Sequence, residues 1–547
     1  MNVTSSTSNT PRPTQQVAGN VWDGVAQTPV SGSPGAAAFL QAPGPGVPPR
    51  VGNNTSATVP NSGTLGPLHP DTVIFNRQLN AWVNGAPPAE QVARRESASE
   101  IRRVFNEGSN WLRLGGKGLT SLPECLQKMV SVTHFSAIDN ALSCLPAMPE
   151  NLQFFYACDN QLTRLPNVLP DGLRRLMVEG NELTELPALP KGLRSLAVGR
   201  NRLARLPAQL PGSLEQLSIS RNQLTSLPAL PQNLKWLLAA GNSLASLPPL
   251  PSGVLSLNVS ENKLSSIPAL PPGITELKAS HNRLSQLPTL PDCLDYLNIS
   301  NNKIFTLPLL PAGLTILDAA NNALTNLPEH LPANLRALSV AGNRLGSLPD
   351  LPPGLEFCGA EGNRLSALPP LPQSLAFLHV GRNQLINLSR LTPSLQKVTA
   401  DDNQLASLPA PLPASLTELS VSNNRLTGLP LLPPSLNVLD TANNPGLASI
   451  PLEALQDADA IREWQLVNPT LVQGGETSGS AAIRPRASAP VLRENTTPDA
   501  NASSTTRSMP GQSSRRIDDD RLPIHQQEYM DALLVQRLYD MQAAFNE

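Results

Sequence analysis

An asparagine returns every 20 or 21 residues between Asn140 and Asn444. The positions between are Asn160, Asn181, Asn201, Asn222, Asn242, Asn262, Asn282, Asn302, Asn322, Asn343, Asn363, Asn383, Asn403 and Asn424. Around each the chain reads roughly L-x-x-L-x-V-x-x-N-x-L-x-x-L-P-x-L-P. A fixed period of this length describes small units that cannot bury their apolar faces alone and must stack on their neighbours. A single rounded core is excluded for 110–451, and a solenoid is expected.

The Leu and Asn spacing is that of a leucine-rich repeat, so the expected fold is an α/β solenoid, a leucine-rich repeat horseshoe of about 16–17 turns of 20–21 residues. In Leu217-Ser218-Ile219-Ser220-Arg221-Asn222, apolar and polar residues alternate, which predicts a short strand with one buried face. Such strands stack in parallel on the concave side. The Asn amide carries both donors and an acceptor, so a column of them makes a polar ladder that satisfies backbone groups left open at the turn. The other half of each repeat, such as Leu227-Pro228-Ala229-Leu230-Pro231, holds two prolines and cannot be helical. An extended, polyproline-like convex side and a thin, gently curved horseshoe are expected. One extra residue in this element, as in Leu165-Pro166-Asn167-Val168-Leu169-Pro170, accounts for the 21-residue spacings.

The flanks differ. Residues 1–70 are rich in Pro, Gly, Ser, Thr, Ala and Asn, with too few apolar residues to offset ordering entropy, and read as disordered. Residues 71–109 predict two short helices that cap the first repeat, with Val73, Ile74, Leu79 and Trp82 on one and Val92, Ile101, Val104 and Phe105 on the other. Residues 452–466 predict a C-terminal capping helix through Leu455, Ile461 and Trp464. Residues 467–520 read as a linker. In 521–547, Met530, Leu534, Leu538, Met541 and Phe545 recur at helical steps, which predicts an amphipathic helix that docks on a partner, self-associates, folds back on the repeats or is the remnant of a longer ancestral domain.

Formal net charge is -2, which gives no electrostatic reason to expect nucleic acid. No run of 18 apolar residues exists, so no transmembrane helix is expected. The start of the chain lacks the basic and apolar regions of a secretory signal peptide. Five cysteines, an odd number with no close pair, argue against a disulfide framework or zinc site. The six histidines lack metal spacing, and no cofactor is expected.

The L-P-x-L-P form of the repeat resembles the bacterial LPX leucine-rich repeat effectors that type III secretion systems deliver into host cells. Leu79-Asn80-Ala81-Trp82, Ile101 and Leu119-Thr120-Ser121-Leu122-Pro123 are similar to the helical region preceding the repeats in that family. The resemblance implies secretion, a secretion chaperone at the N-terminus, residence in the host cytoplasm or nucleus, and host proteins as partners. Many members continue into a novel E3 ligase domain with a catalytic cysteine. Here the last cysteine is Cys358, inside the repeats, so that nucleophile is missing. The expectation is a non-enzymatic effector that binds host proteins on the concave face. The alternative is the substrate-recognition part of a ubiquitin ligase, or a cysteine-independent ligase.

Counting back from each Asn, residues six, four and two positions earlier should face the concave side. Most are small. The large ones, Phe154, Tyr156, Met177, Trp236, Tyr296, Phe357, Phe377 and His379, are the candidate partner-binding residues, because exposed aromatics concentrate binding energy. Phe357, Phe377 and His379 should form one patch, and Phe154, Tyr156 and Met177 another. The plainer account is that these rings only cover the strand surface. Cys158 falls on the same face and is expected to be exposed, while Cys358 takes a core position.

Overall fold

In the computed structural model, residues 70–451, 455 and 457–469 are described. The readings made for the N-terminal 1–70 segment, the linker and the terminal amphipathic helix therefore lie outside the described residues, apart from Pro70 and residues 467–469.

The cap consists of α1 (Pro70–Asn84), a 3-10 turn (Pro88–Glu90) and α2 (Gln91–Glu107). Its apolar face differs from expectation. Val73, Ile74 and Val92 are exposed, and the buried face is Phe75, Leu79, Ala98, Ile101 and Val104. Phe75 and Phe105 stack with ring centroids 3.8 Å apart and join the two helices. Arg94 donates to Glu90 at 2.8 Å and to the Trp82 carbonyl at 2.9 Å, and Trp82 Nε1 donates to Ser121 Oγ at 3.1 Å. The cap is thus tied both to itself and to the first repeat.

The repeats supply seventeen strands of three residues, from β1 (Trp111–Arg113) to β17 (Val438–Asp440). Each pairs in parallel and in register with its sequence neighbours; Trp111, His134 and Phe154 are successive partners, and so are Phe357 and Phe377. The middle residue of each strand points inward, and Leu112, Leu176, Leu257, Cys358 and Leu419 belong to one continuous buried column. No helix forms in the L-P-x-L-P segments. The second proline's carbonyl accepts the N–H three residues on, as in Leu193 to Pro190 at 3.1 Å and Leu294 to Pro291 at 3.0 Å, which turns the chain back toward the next strand. The first repeat departs from this with a 3-10 turn at Glu124–Lys128.

The asparagine ladder forms as the repeat spacing requires. Asn282 Nδ2 donates to the Val259, Ala279 and Ser280 carbonyls at 2.9, 3.2 and 3.1 Å. Its Oδ1 accepts the Leu264 N–H at 3.0 Å. Each ladder amide therefore bonds its own turn and the turn before it. The residue preceding the asparagine is left-handed throughout, with Asp139 at φ 56°, Arg221 at 54°, Glu261 at 54° and Gly342 at 61°.

At the far end, α3 (Ala458–Val467) buries Ile461 and holds the last repeat through polar side chains. Gln465 accepts from Leu432 N at 3.2 Å and donates to the Pro430 carbonyl at 2.9 Å; Arg462 donates to the Pro433 and Leu436 carbonyls. In the preceding repeat the equivalent of the Leu436 carbonyl, Leu416 O, accepts from Ser435 Oγ of the next repeat at 2.7 Å.

Candidate functional site

The strand face is built from the first and third residues of each strand, because successive side chains alternate sides. The geometry brings the expected residues into neighbouring columns but does not leave all of them open. Met177, Tyr296, Phe357 and His379 are buried, which corrects the expectation that they stand exposed; Phe357 is only 1% exposed. The cause is the strand spacing. Neighbouring strands lie about 4.8 Å apart, less than the width of a ring, so a large side chain lies over the small residues beside it and is covered by the next large one. Phe357 is flanked in register by Ala337 and Phe377, and the His379 ring centroid is 5.5 Å away. His379 Nδ1 in turn shares a hydrogen bond with Thr399 Oγ1 at 2.9 Å. Phe154, Tyr156, Trp236 and Phe377 stay half-buried. Lys235 Nζ lies 5.8 Å from the Trp236 ring, and Lys278 Nζ lies 5.2 Å from the Tyr296 ring.

The N-terminal end of the face joins the expected Phe154 to two rings that the expected candidates do not include, Trp111 and His134. Trp111, His134 and Phe154, the first residues of β1, β2 (His134–Ser136) and β3 (Phe154–Tyr156), form a continuous ring stack. Centroids are 5.0 Å apart between Trp111 and His134 and 4.3 Å between His134 and Phe154, with interplanar angles of 22° and 11°. The Arg113 guanidinium closes one end, 4.4 Å above the Trp111 ring. At the other end Phe154 pairs in register with Arg175, the first residue of β4 (Arg175–Met177). All three rings are half-buried, so their edges stay open to the face. Burial lowers the pKa of His134, which is therefore neutral at pH 7 and stacks as an uncharged ring. Lys117 occupies the ladder position of the first repeat, so counting back from an asparagine never reaches Trp111. His134 lies six before Asn140 and is within reach of the same count.

Two carboxylates on this face are buried. Desolvation raises the pKa of Glu179, which accepts from Ser218 Oγ at 2.7 Å. Desolvation raises that of Asp318 as well, against the pull of the Ala320 N–H at 3.2 Å. Cys158 is buried rather than exposed, and burial pushes its thiol up to about 12, as it does for Cys125 and Cys358. These three thiols are protonated at neutral pH and are not nucleophiles there. Among the described residues no cluster of His, Cys, Asp and Glu could hold a metal ion, and no helix is long and apolar enough to cross a membrane. What the face offers is ring edges, guanidinium groups and hydroxyls, which is the chemistry of contact.

A leucine-rich repeat family model matches residues 415–439. Over 126 residues the chain is 42% identical to the E3 ubiquitin-protein ligase SspH1 of Salmonella typhimurium; the match takes in 22% of this chain but only 14% of that protein. The structure is similar to YopM from Yersinia enterocolitica, at 37% identity and a TM-score of 0.62 over 69% of this chain and 87% of that one. It is similar also to YopM from Yersinia pestis, described as a leucine-rich effector protein, at 34% identity and a TM-score of 0.56 over 68% of this chain and all of that one. The repeat unit, the parallel sheet, the helical cap and this extent of shared sequence lead to one conclusion: the chain belongs to the family of bacterial leucine-rich repeat effectors that includes YopM.

Proposed function

We propose that this effector is secreted by a type III system and acts inside the host cell by binding a host protein on the strand face of its repeats, as a scaffold or by interference with host signalling. The observation that carries the reading is the ring stack Trp111–His134–Phe154, with the Arg113 guanidinium over one end and Arg175 in register beside Phe154 at the other. Open aromatic edges beside arginines make a surface on which a few residues supply most of the binding energy. The guanidinium groups favour a partner that presents carboxylates between apolar residues. Phe377, Trp236 and Tyr156 extend the contact along the face. A secretion chaperone acting on the N-terminal segment belongs to the same reading.

The test is affinity capture from host lysate with the full chain and with Phe154→Ala combined with Arg175→Glu. The variant should lose the proteins that the wild type retains. Equal recovery of the same proteins by both would remove the ring stack as the site.

A second reading rests on the similarity to SspH1, named as an E3 ubiquitin-protein ligase. On it, the repeats recognise a substrate for ubiquitin transfer. Chain formation by the purified protein with activating and conjugating enzymes would favour this reading, and its absence would favour the first.

A further inference from the structure

The two ends of the buried column are closed unequally. At the start, α2 packs on β1 and Leu112 is fully buried. At the finish, the polar side chains of α3 bond the convex half, through Pro430–Leu436. Leu439, the middle residue of β17, is the one member of the strand column left half-buried, and Val438 beside it is 54% exposed.

The backbone of β17 is open in the same direction. Val438 N donates backward to Thr417 O at 3.1 Å, and Asp440 O accepts from Val421 N at 2.8 Å. Asn437 N also donates backward to Thr417 O at 2.8 Å; because polar groups alternate sides along a strand, the Asn437 carbonyl, both groups of Leu439 and the Thr441 N–H point forward, where a further repeat would lie. In the preceding repeat the equivalents are used: Thr417 O accepts from the next strand and Val421 N donates to it. Among the described residues no backbone partner meets Asn437 O or Thr441 N, and Thr441 Oγ1 is buried without a hydrogen bond.

The geometry points to a second copy of this chain as the occupant of this edge, paired antiparallel through β17 about a two-fold axis at Leu439. Three observations select it. The N-terminal end is occupied by α2, so one copy cannot continue head-to-tail on another. The edge carries an acceptor at Asn437 and a donor at Thr441, equally spaced about Leu439, so a two-fold rotation sets each against its complement on the second copy. In that register Val438 faces Asp440 of the second copy, which keeps the two carboxylates apart. Leu439 then meets Leu439 of the second copy, and the two buried columns become continuous.

The test uses the full chain in sedimentation velocity over a concentration series, with hydrogen exchange read at Leu439 and Thr441. The expected result is a reversible dimer in which exchange at these two amides slows as concentration rises. A lysine on an edge strand opposes pairing, so Val438→Lys should weaken the dimer by about tenfold or more without changing the melting temperature. Leu439→Lys should abolish it. A monomer at every concentration overturns the proposal, as does a dimer that both variants leave intact. Protection of the two amides independent of concentration also overturns it, since that assigns the edge to the chain's own downstream segment.

Discussion

Each ladder asparagine from Asn160 onward fixes one amide and up to three carbonyls at the seam between two repeats, and Asn140 fixes two amides. Asn282 shows the cost of losing it. In Asn282→Ala the Leu264 N–H stays buried without a partner, and the Val259 carbonyl keeps only the Asn262 amide. The expected loss is roughly 2–3 kcal/mol, read from the urea midpoint; a loss under about 0.5 kcal/mol would contradict the ladder's role. The left-handed residue before each asparagine is a second constraint. At Gly342, φ is +61° and an added Cβ would collide with Asn321 Oδ1. Gly342→Ala should cost about 1–2 kcal/mol. Gly346→Ala is the control, because nothing lies within 4 Å of its Cβ and it should be near neutral. Charge burial gives a third prediction. Desolvation raises the folded-state pKa of Asp318, so between its unfolded and folded pKa values the native state holds the proton more tightly. The stabilising contribution is complete below the unfolded pKa and is lost as pH rises through the folded one. Asp318→Asn should therefore gain on the wild type in melting temperature between acid and neutral pH. A constant difference across the range from about pH 4 to 7 would assign no such shift to Asp318.

At the scale of elements, the strands and the ladder were readable from period alone, because every repeat must solve the same packing problem. The ends were less so. Val73, Ile74 and Val92 look apolar enough for the cap, yet Phe75 joins the expected Leu79 on its buried face, and the helix stacks Phe75 on Phe105. Phe75→Ala should cost about 3–5 kcal/mol locally, seen as faster hydrogen exchange in β1 and β2 with β10 (Tyr296–Asn298) and β11 (Ile316–Asp318) unchanged. A uniform change along the solenoid would contradict nearest-neighbour stacking. The site was legible in part. Counting from the asparagines placed Phe154, Phe357, Phe377 and His379 on the correct face and in adjacent strands. It could not show that Phe357 and His379 are covered, because shading depends on the neighbour's size in three dimensions. The left-handed column was hidden as well: Asp, Arg, Glu, His and Asn occupy most of it, and only four of the sixteen ladder turns use glycine there.

Across the repeats as a whole, stability and the proposed recognition draw on different sides of one sheet. The inward column and the ladder hold neighbouring turns together, which leaves the strand face to vary without loss of the fold. Rings accumulate there at the N-terminal end, and the C-terminal edge stays open. The direct test of the account is site-specific photo-crosslinking in host cells, with benzoylphenylalanine at position 154 on the face and, separately, at Val168 on the convex side, which is 84% exposed. The account predicts a discrete host-protein adduct from position 154 that disappears when Arg175→Glu is added, and none of that adduct from position 168. The same adduct from both positions, or from position 168 alone, would contradict it.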